Sequence, residues 1–144
     1  MLNTLLVIVN HPKIGDSENA ISICGEIRKK LAGVAGTVCF FHDASSMENA
    51  CIGYAENFRK LDRELAERTR IVICAIPNLV PRVMARTVSS VSTRKWDILR
   101  SKEEAVKHLA QIGIALSNVV LPASGAVSIV SVGGLNNIPQ QKTA

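Results

Sequence analysis

Aromatic side chains are nearly missing from this chain, which has three Phe, one Tyr and one Trp among 144 residues. Their scarcity assigns the core to Ile, Val, Leu and Ala, and it removes the stacking platforms on which single-stranded nucleic acid is bound. A dense Lys/Arg tract is also missing. The formal charge of +5 therefore reads as a solvated surface with a modest basic excess, and no specific nucleic-acid partner is expected. The four cysteines, Cys24, Cys39, Cys51 and Cys74, show no C-x-x-C spacing. Zinc would need closely spaced Cys/His pairs, so no metal is expected, and the cysteines read as buried free thiols of a cytoplasmic protein.

Other absences remove whole classes of enzyme. No G-x-G-x-x-G follows the first apolar run and no G-x-x-x-x-G-K-[ST] occurs, so neither a dinucleotide fold nor a P-loop is present and no cofactor is expected. G-x-S-x-G is absent too, which argues against a hydrolase. The first ten residues carry no basic n-region and no small-residue cleavage site; they read as a strand and not as a signal peptide.

What is present is an ordered alternation. Leu5 to Val9 is a β-branched run closed by Asn10-His11-Pro12. Asp16 or Ser17 can cap a helix whose apolar stripe is Ala20, Ile23, Cys24, Ile27 and Leu31. Gly33 and Gly36 break the chain before a second strand over Val38 to Phe41. A long amphipathic helix is predicted from Asn49 to Thr69, then a strand over Ile71 to Ile76. The stripe Val80, Val83, Met84, Thr87, Val88 and Val91 predicts a further helix, with Pro81 confined to its first turn. A short strand over Trp96 to Leu99 follows. Ser101-Lys102-Glu103-Glu104 matches the capping box, in which the serine accepts from the Glu104 amide and the glutamate returns a bond to the serine amide.

The order βαβαβαβα, with nearly continuous apolar strands, predicts a single α/β domain over residues 1–113, with a four- to five-stranded, mostly parallel sheet and amphipathic helices. Residues 114–144 form an extension without a charged residue until Lys142. Ile114 to Val132 is long enough to span a membrane, but Ser117, Asn118, Pro122, Ser124, Ser128 and Ser131 dilute its apolarity. An extra strand, an oligomerisation arm that would make a homodimer, or a loosely ordered tail is expected instead.

Sites in such domains lie at the carboxyl edge of the sheet. The polar cluster His42-Asp43-Ala44-Ser45-Ser46-Met47 stands there, after the second strand. His42 reads as a strand-end residue bonded to backbone, and Asp43 as a turn or cap. A phosphoaspartate receiver would use Asp43, but the first strand ends in Asn10-His11 without a metal-binding acid, and no lysine is expected to close on it after the third or fourth strand.

Asp43-Ala44-Ser45-Ser46-Met47 after an apolar strand resembles the D-x-S-G-[LMI] loop of STAS domains of the anti-sigma-factor-antagonist type. The helix, the strand Ile71 to Ala75, the helix over Val80 to Val91, the short strand and the E-E-A-x-x-x-L helix (Glu103 to Leu109) follow in that family's order, over residues 3–112. The pattern is similar to a divergent, sporulation-antagonist-like branch related to the SEC14-like lipid-binding proteins. Ser46 stands where the family has glycine, and the family's extra N-terminal strand is missing. The resemblance implies a non-enzymatic regulatory module that docks a protein partner, a kinase or regulator of the anti-sigma type, through Asp43, Ser45, Ser46 and Met47. It also implies a phosphorylation switch at Ser45, where a phosphoserine near a helix N-terminus would gain amide donors.

A second class is a small lipid- or anion-binding protein. Arg82 and Arg86, with Arg94 and Lys95 nearby, form a basic set suited to a phosphorylated partner or an anionic membrane surface. A third class is a phosphotransfer domain using Asp43.

Overall fold

The computed structural model describes residues 3–133; residues 1, 2 and 134–144, which include Lys142 and the end of the extension, lie outside them. Strand β1 (Thr4–Asn10), the two-residue β2 (Ile14–Gly15), helix α1 (Ser17–Leu31), β3 (Thr37–Asp43) and the two-residue β4 (Asn49–Ala50) come first. Helix α2 (Ile52–Glu64), β5 (Thr69–Ala75), α3 (Leu79–Val91), β6 (Lys95–Leu99), α4 (Lys102–Gln111), a short 3-10 turn (Leu116–Asn118) and β7 (Val127–Val132) complete the order. The main sheet runs β6-β5-β3-β1-β7. Its first four strands pair in parallel and β7 pairs antiparallel with β1. The fold is α/β with a mostly parallel five-stranded sheet, as the apolar strands predicted.

Chain order explains the layers. The steps β1 to β3 to β5 to β6 all move in one direction across the sheet, and a right-handed crossover puts each intervening helix on the same face. Residues of α1 and α2, together with Val88 of α3, accordingly share one core cluster, while α4 covers the other face. The alternation of side chains along each strand sorts them between the two cores. Leu5, Val7 and Val9 of β1, Val38 and Phe40 of β3, and Val72 and Cys74 of β5 face α1–α3. Leu6 and Ile8, Cys39 and Phe41, and Ile71, Ile73 and Ala75 face α4. Both sides of these strands are buried, which is why they read as unbroken apolar runs.

The ends of the elements follow local chemistry. Asp16, not Ser17, caps α1, accepting from the Asn19 amide at 2.8 Å. Ser101 caps α4 by accepting from the Glu104 amide at 3.1 Å, but the return bond goes from the Arg100 amide to Glu104 Oε2 at 3.3 Å and not from the Ser101 amide. Pro81 sits in the first turn of α3, as required.

Helix α2 is shorter than the Asn49–Thr69 pattern. Asn49–Ala50 pairs instead with Ile14–Gly15, and Ile52 is left exposed at the start of the helix. At its other end Thr69 opens β5, where its hydroxyl donates to the Leu65 carbonyl at 2.8 Å. Within the extension, 127–132 is the extra strand among the alternatives. Among the described residues no helix is long and apolar enough to cross a membrane.

Candidate functional site

Register decides what meets at the carboxyl edge. Val9 of β1 pairs with His42 of β3 and Asn10 pairs with Asp43. His42 therefore points to the same side as Phe40, toward α1–α3, and Asp43 points toward α4. His11 follows β1 with the parity of Val9, and its amide donates to the Asp43 carbonyl at 2.9 Å. Two histidines from separate strands thus enter the same core. His11 Nε2 lies 2.8 Å from His42 Nδ1, and His11 Nδ1 is hydrogen-bonded to the Tyr54 hydroxyl of α2. Tyr54 reaches them because Tyr54, Phe58 and Leu61 form the buried stripe of α2.

Both histidines are buried. Burial, with a smaller contribution from His42, holds His11 well below the usual histidine range. Burial likewise lowers His42 to about 4. Burial, then the nearby Cys24 and Asp16, push the Tyr54 phenol upward. The three groups therefore form an uncharged hydrogen-bonded chain near neutral pH. His42 stacks on Phe40 and on Trp96 of β6, with ring centroids 5.5 Å and 6.1 Å away and both pairs tilted by 11°. Trp96 reaches across the intervening strand β5 because Cys74, the residue paired with His42, is small. The expected bond from His42 to backbone is replaced by this side-chain chain.

A cavity of about 60 Å³ opens beside the histidines. Its walls are apolar: Met47 from the loop, Phe58 from α2, Cys74 from β5, Trp96 from β6, and Met84 and Val88 from α3. Helix α3 covers it loosely. Only Pro81 and Val88 of that helix are buried, whereas Leu79, Val80 and Val83 near its start are exposed.

Asp43 faces the other way and organises the loop. Its Oδ1 accepts from the Ser45 amide at 3.1 Å and from the Ser45 hydroxyl at 2.6 Å, closing a side-chain turn. Its Oδ2 lies 3.2 Å from Lys102 Nζ, at the start of α4. The expectation that no lysine would close on Asp43 is overturned, because the β6–α4 turn brings Lys102 back to the edge of the sheet. The acid that a receiver site also requires is not there, since Asp16 is engaged in capping α1. Among the described residues no group of three or more His, Cys, Asp or Glu side chains is placed to hold a metal ion.

The loop residues have distinct positions. Ser45 is half-buried, Ser46 is exposed and Met47 is buried against the cavity. Asn78, just before α3, donates to the Met47 carbonyl at 2.6 Å, which fastens the loop to the start of that helix. Ser45 does not stand at a helix N-terminus, because β4 separates it from Ile52. The helix-amide part of the phosphoserine argument therefore has no structural basis; Lys102, paired to the same Asp43, is the nearby positive group.

The basic set is not one site. Arg82 Nη1 donates to the Pro77 carbonyl at 2.9 Å, Arg86 is exposed, Arg94 is buried, and Lys95 pairs with Asp97 at 3.3 Å. Arg82 lies in the first turn of α3 and Arg94 beyond its end, which separates them by about 14 Å along the helix. Cys24, Cys39 and Cys74 are buried as expected, but Cys51 is exposed at the start of α2.

The histidine pair escaped the sequence reading, although its signal was there: His11 and His42 both continue the parity of strand residues facing one core. No family model, curated protein or solved structure matches this chain.

Proposed function

We propose that this protein is a non-enzymatic regulatory module of the STAS-like type, which docks a protein partner at the carboxyl edge of its sheet. The contact surface consists of Ser45 and Ser46 with the first turns of α3. The observation that carries this reading is the exposure of Leu79, Val80 and Val83 on a helix fastened to the Asp43–Met47 loop. Exposed apolar side chains grouped beside a polar loop are the usual composition of a docking surface.

Ser45 suits a switch because its hydroxyl already sits 2.6 Å from a carboxylate. A phosphate added there would carry nearly two negative charges against Asp43, opening the side-chain turn and drawing Lys102 away from Asp43. The loop would then present a different shape and charge to the partner.

Site-specific photo-crosslinking in cells tests the reading. A crosslinker at Ser46 or Val83 is expected to give a discrete protein adduct, and one at Lys29, exposed near the end of α1, is expected to give none. Adducts of equal yield from all three positions, or from none, would refute docking at this edge.

A further inference from the structure

We propose that the cavity beneath α3 is a binding site for a small, uncharged carbonyl compound, held with its hydrocarbon part against Met84, Val88 and Trp96 and its oxygen accepting a hydrogen bond from His42 Nε2. The inference does not need protein docking: Met84 and Val88 line the cavity on the inner side of α3, whereas the proposed contact residues Leu79, Val80 and Val83 of the same helix are exposed.

The polarity of the Tyr54–His11–His42 chain decides which nitrogen of His42 carries the proton. Each neutral imidazole carries one N–H and one bare nitrogen, so the chain can run in two directions. In the first, the Tyr54 hydroxyl donates to His11 Nδ1 and His11 Nε2–H donates to His42 Nδ1. In the second, His42 Nδ1–H donates to His11 and His11 Nδ1–H donates to Tyr54. The second direction leaves the Tyr54 hydroxyl proton without an acceptor, since among the described residues its only hydrogen bond is to His11. Each direction leaves one donor without a protein acceptor, but the first places it, as His42 Nε2–H, on the open cavity. The second leaves the hydroxyl proton of Tyr54, which does not line the cavity, unpaired in the core; the first direction therefore prevails. It fixes the proton of His42 on Nε2.

That nitrogen has no protein partner among the described residues, and it is not sealed in the core, because His42 lines the cavity. The walls around it are otherwise hydrocarbon, sulfur and aromatic ring. An apolar pocket with one oriented donor selects an apolar molecule with one acceptor. Charge is disfavoured. An ionised carboxylate would be desolvated without a cation to meet it, because the guanidinium of Arg82 is turned to the carbonyls of Ile76 and Pro77. Helix α3 provides the way in, since it covers the cavity with few buried side chains.

The test uses three probes of one shape, small enough for the cavity: acetone, its methylene isostere isobutene, in which CH2 replaces the oxygen, and the anion acetate. Binding is read by NMR from the indole N–H of Trp96, the sole tryptophan. Acetone is expected to bind about fivefold more tightly than isobutene, the effect of one net hydrogen bond, and acetate more weakly than acetone. His42→Gln, which keeps an N–H donor, should retain the ketone preference, and His42→Phe should abolish it. The ring nitrogen shifts of wild-type His42 should show the proton on Nε2, a result that needs no variant to fold. Equal binding of ketone and isostere, failure of the ketone to bind, or a proton on Nδ1 would each overturn the proposal.

Discussion

Acid should destabilise this protein well before its carboxylates protonate, because two histidines are buried without charge. In the unfolded chain His42 titrates near 6.5; in the fold burial lowers it to about 4. The native state therefore binds fewer protons than the unfolded state between those values, and stability falls as the pH is lowered. Above about pH 6.5 the stabilisation is complete, and below about pH 4 the contribution of His42 levels off because both states are protonated. A difference of roughly 2.5 pH units at about 1.4 kcal/mol each gives about 3 kcal/mol for His42 alone. His11 is shifted in the same direction and adds to this loss.

The carboxylates act in a lower window. Glu64, held down by the hydrogen bond from Arg28, and Glu56, held down by Arg59, start to lose stabilisation only below 4.5. Urea unfolding from about pH 7.5 to 5 isolates the histidines. The free energy is expected to drop by about 2 kcal/mol or more over that range, with the drop roughly halved in His42→Gln. A flat profile, or folded-state titration of His42 near 6.5 by NMR, would refute the buried neutral pair.

Three further outcomes follow from single side chains. Cys51 should be the one rapidly alkylated thiol of the native protein, because it is exposed and the Tyr54 amide, then the Ser17 hydroxyl, lower its pKa, whereas burial raises those of Cys24, Cys39 and Cys74; mass spectrometry after brief treatment counts the modified sites. Gly36→Ala should cost about 2–3 kcal/mol in urea unfolding, since φ is +136° and a Cβ would lie 2.6 Å from the Asn3 carbonyl oxygen. Gly25→Ala should instead stabilise by about 0.5–1 kcal/mol, because a Cβ within α1 meets nothing within 4 Å.

The parts of the fold that were legible in the sequence are those whose pattern is local. Strands β1, β3 and β5 announced themselves because both faces are buried, and Ser101 marked the start of α4 through a bond spanning three residues. The pair β2 and β4 was invisible, since two residues carry no periodicity. That short pairing also moved the start of α2 to Ile52. The antiparallel docking of β7 beside β1 depends on the path of the chain after α4, for which 119–126 offers turn residues but no direction.

The site was half legible. Asp43 makes one of the two local structures expected of it, a turn, with Ser45 as its partner, because that interaction spans two residues. The contacts Lys102–Asp43 and His11–His42 needed the strand register, which is set by packing across the whole sheet. Once β1 and β3 are paired in register, parity alone brings the two histidines together.

The loop held by Asp43 is proposed above as a docking surface sensitive to charge at Ser45. The most direct measurement is the affinity of the partner crosslinked at Ser46 for wild type, Ser45→Ala and Ser45→Asp. Ser45→Ala keeps the amide bond to Asp43 and is expected to bind within about twofold of wild type. Ser45→Asp sets a second carboxylate against Asp43 and is expected to weaken binding about tenfold or more. Equal affinity for all three proteins would contradict the account.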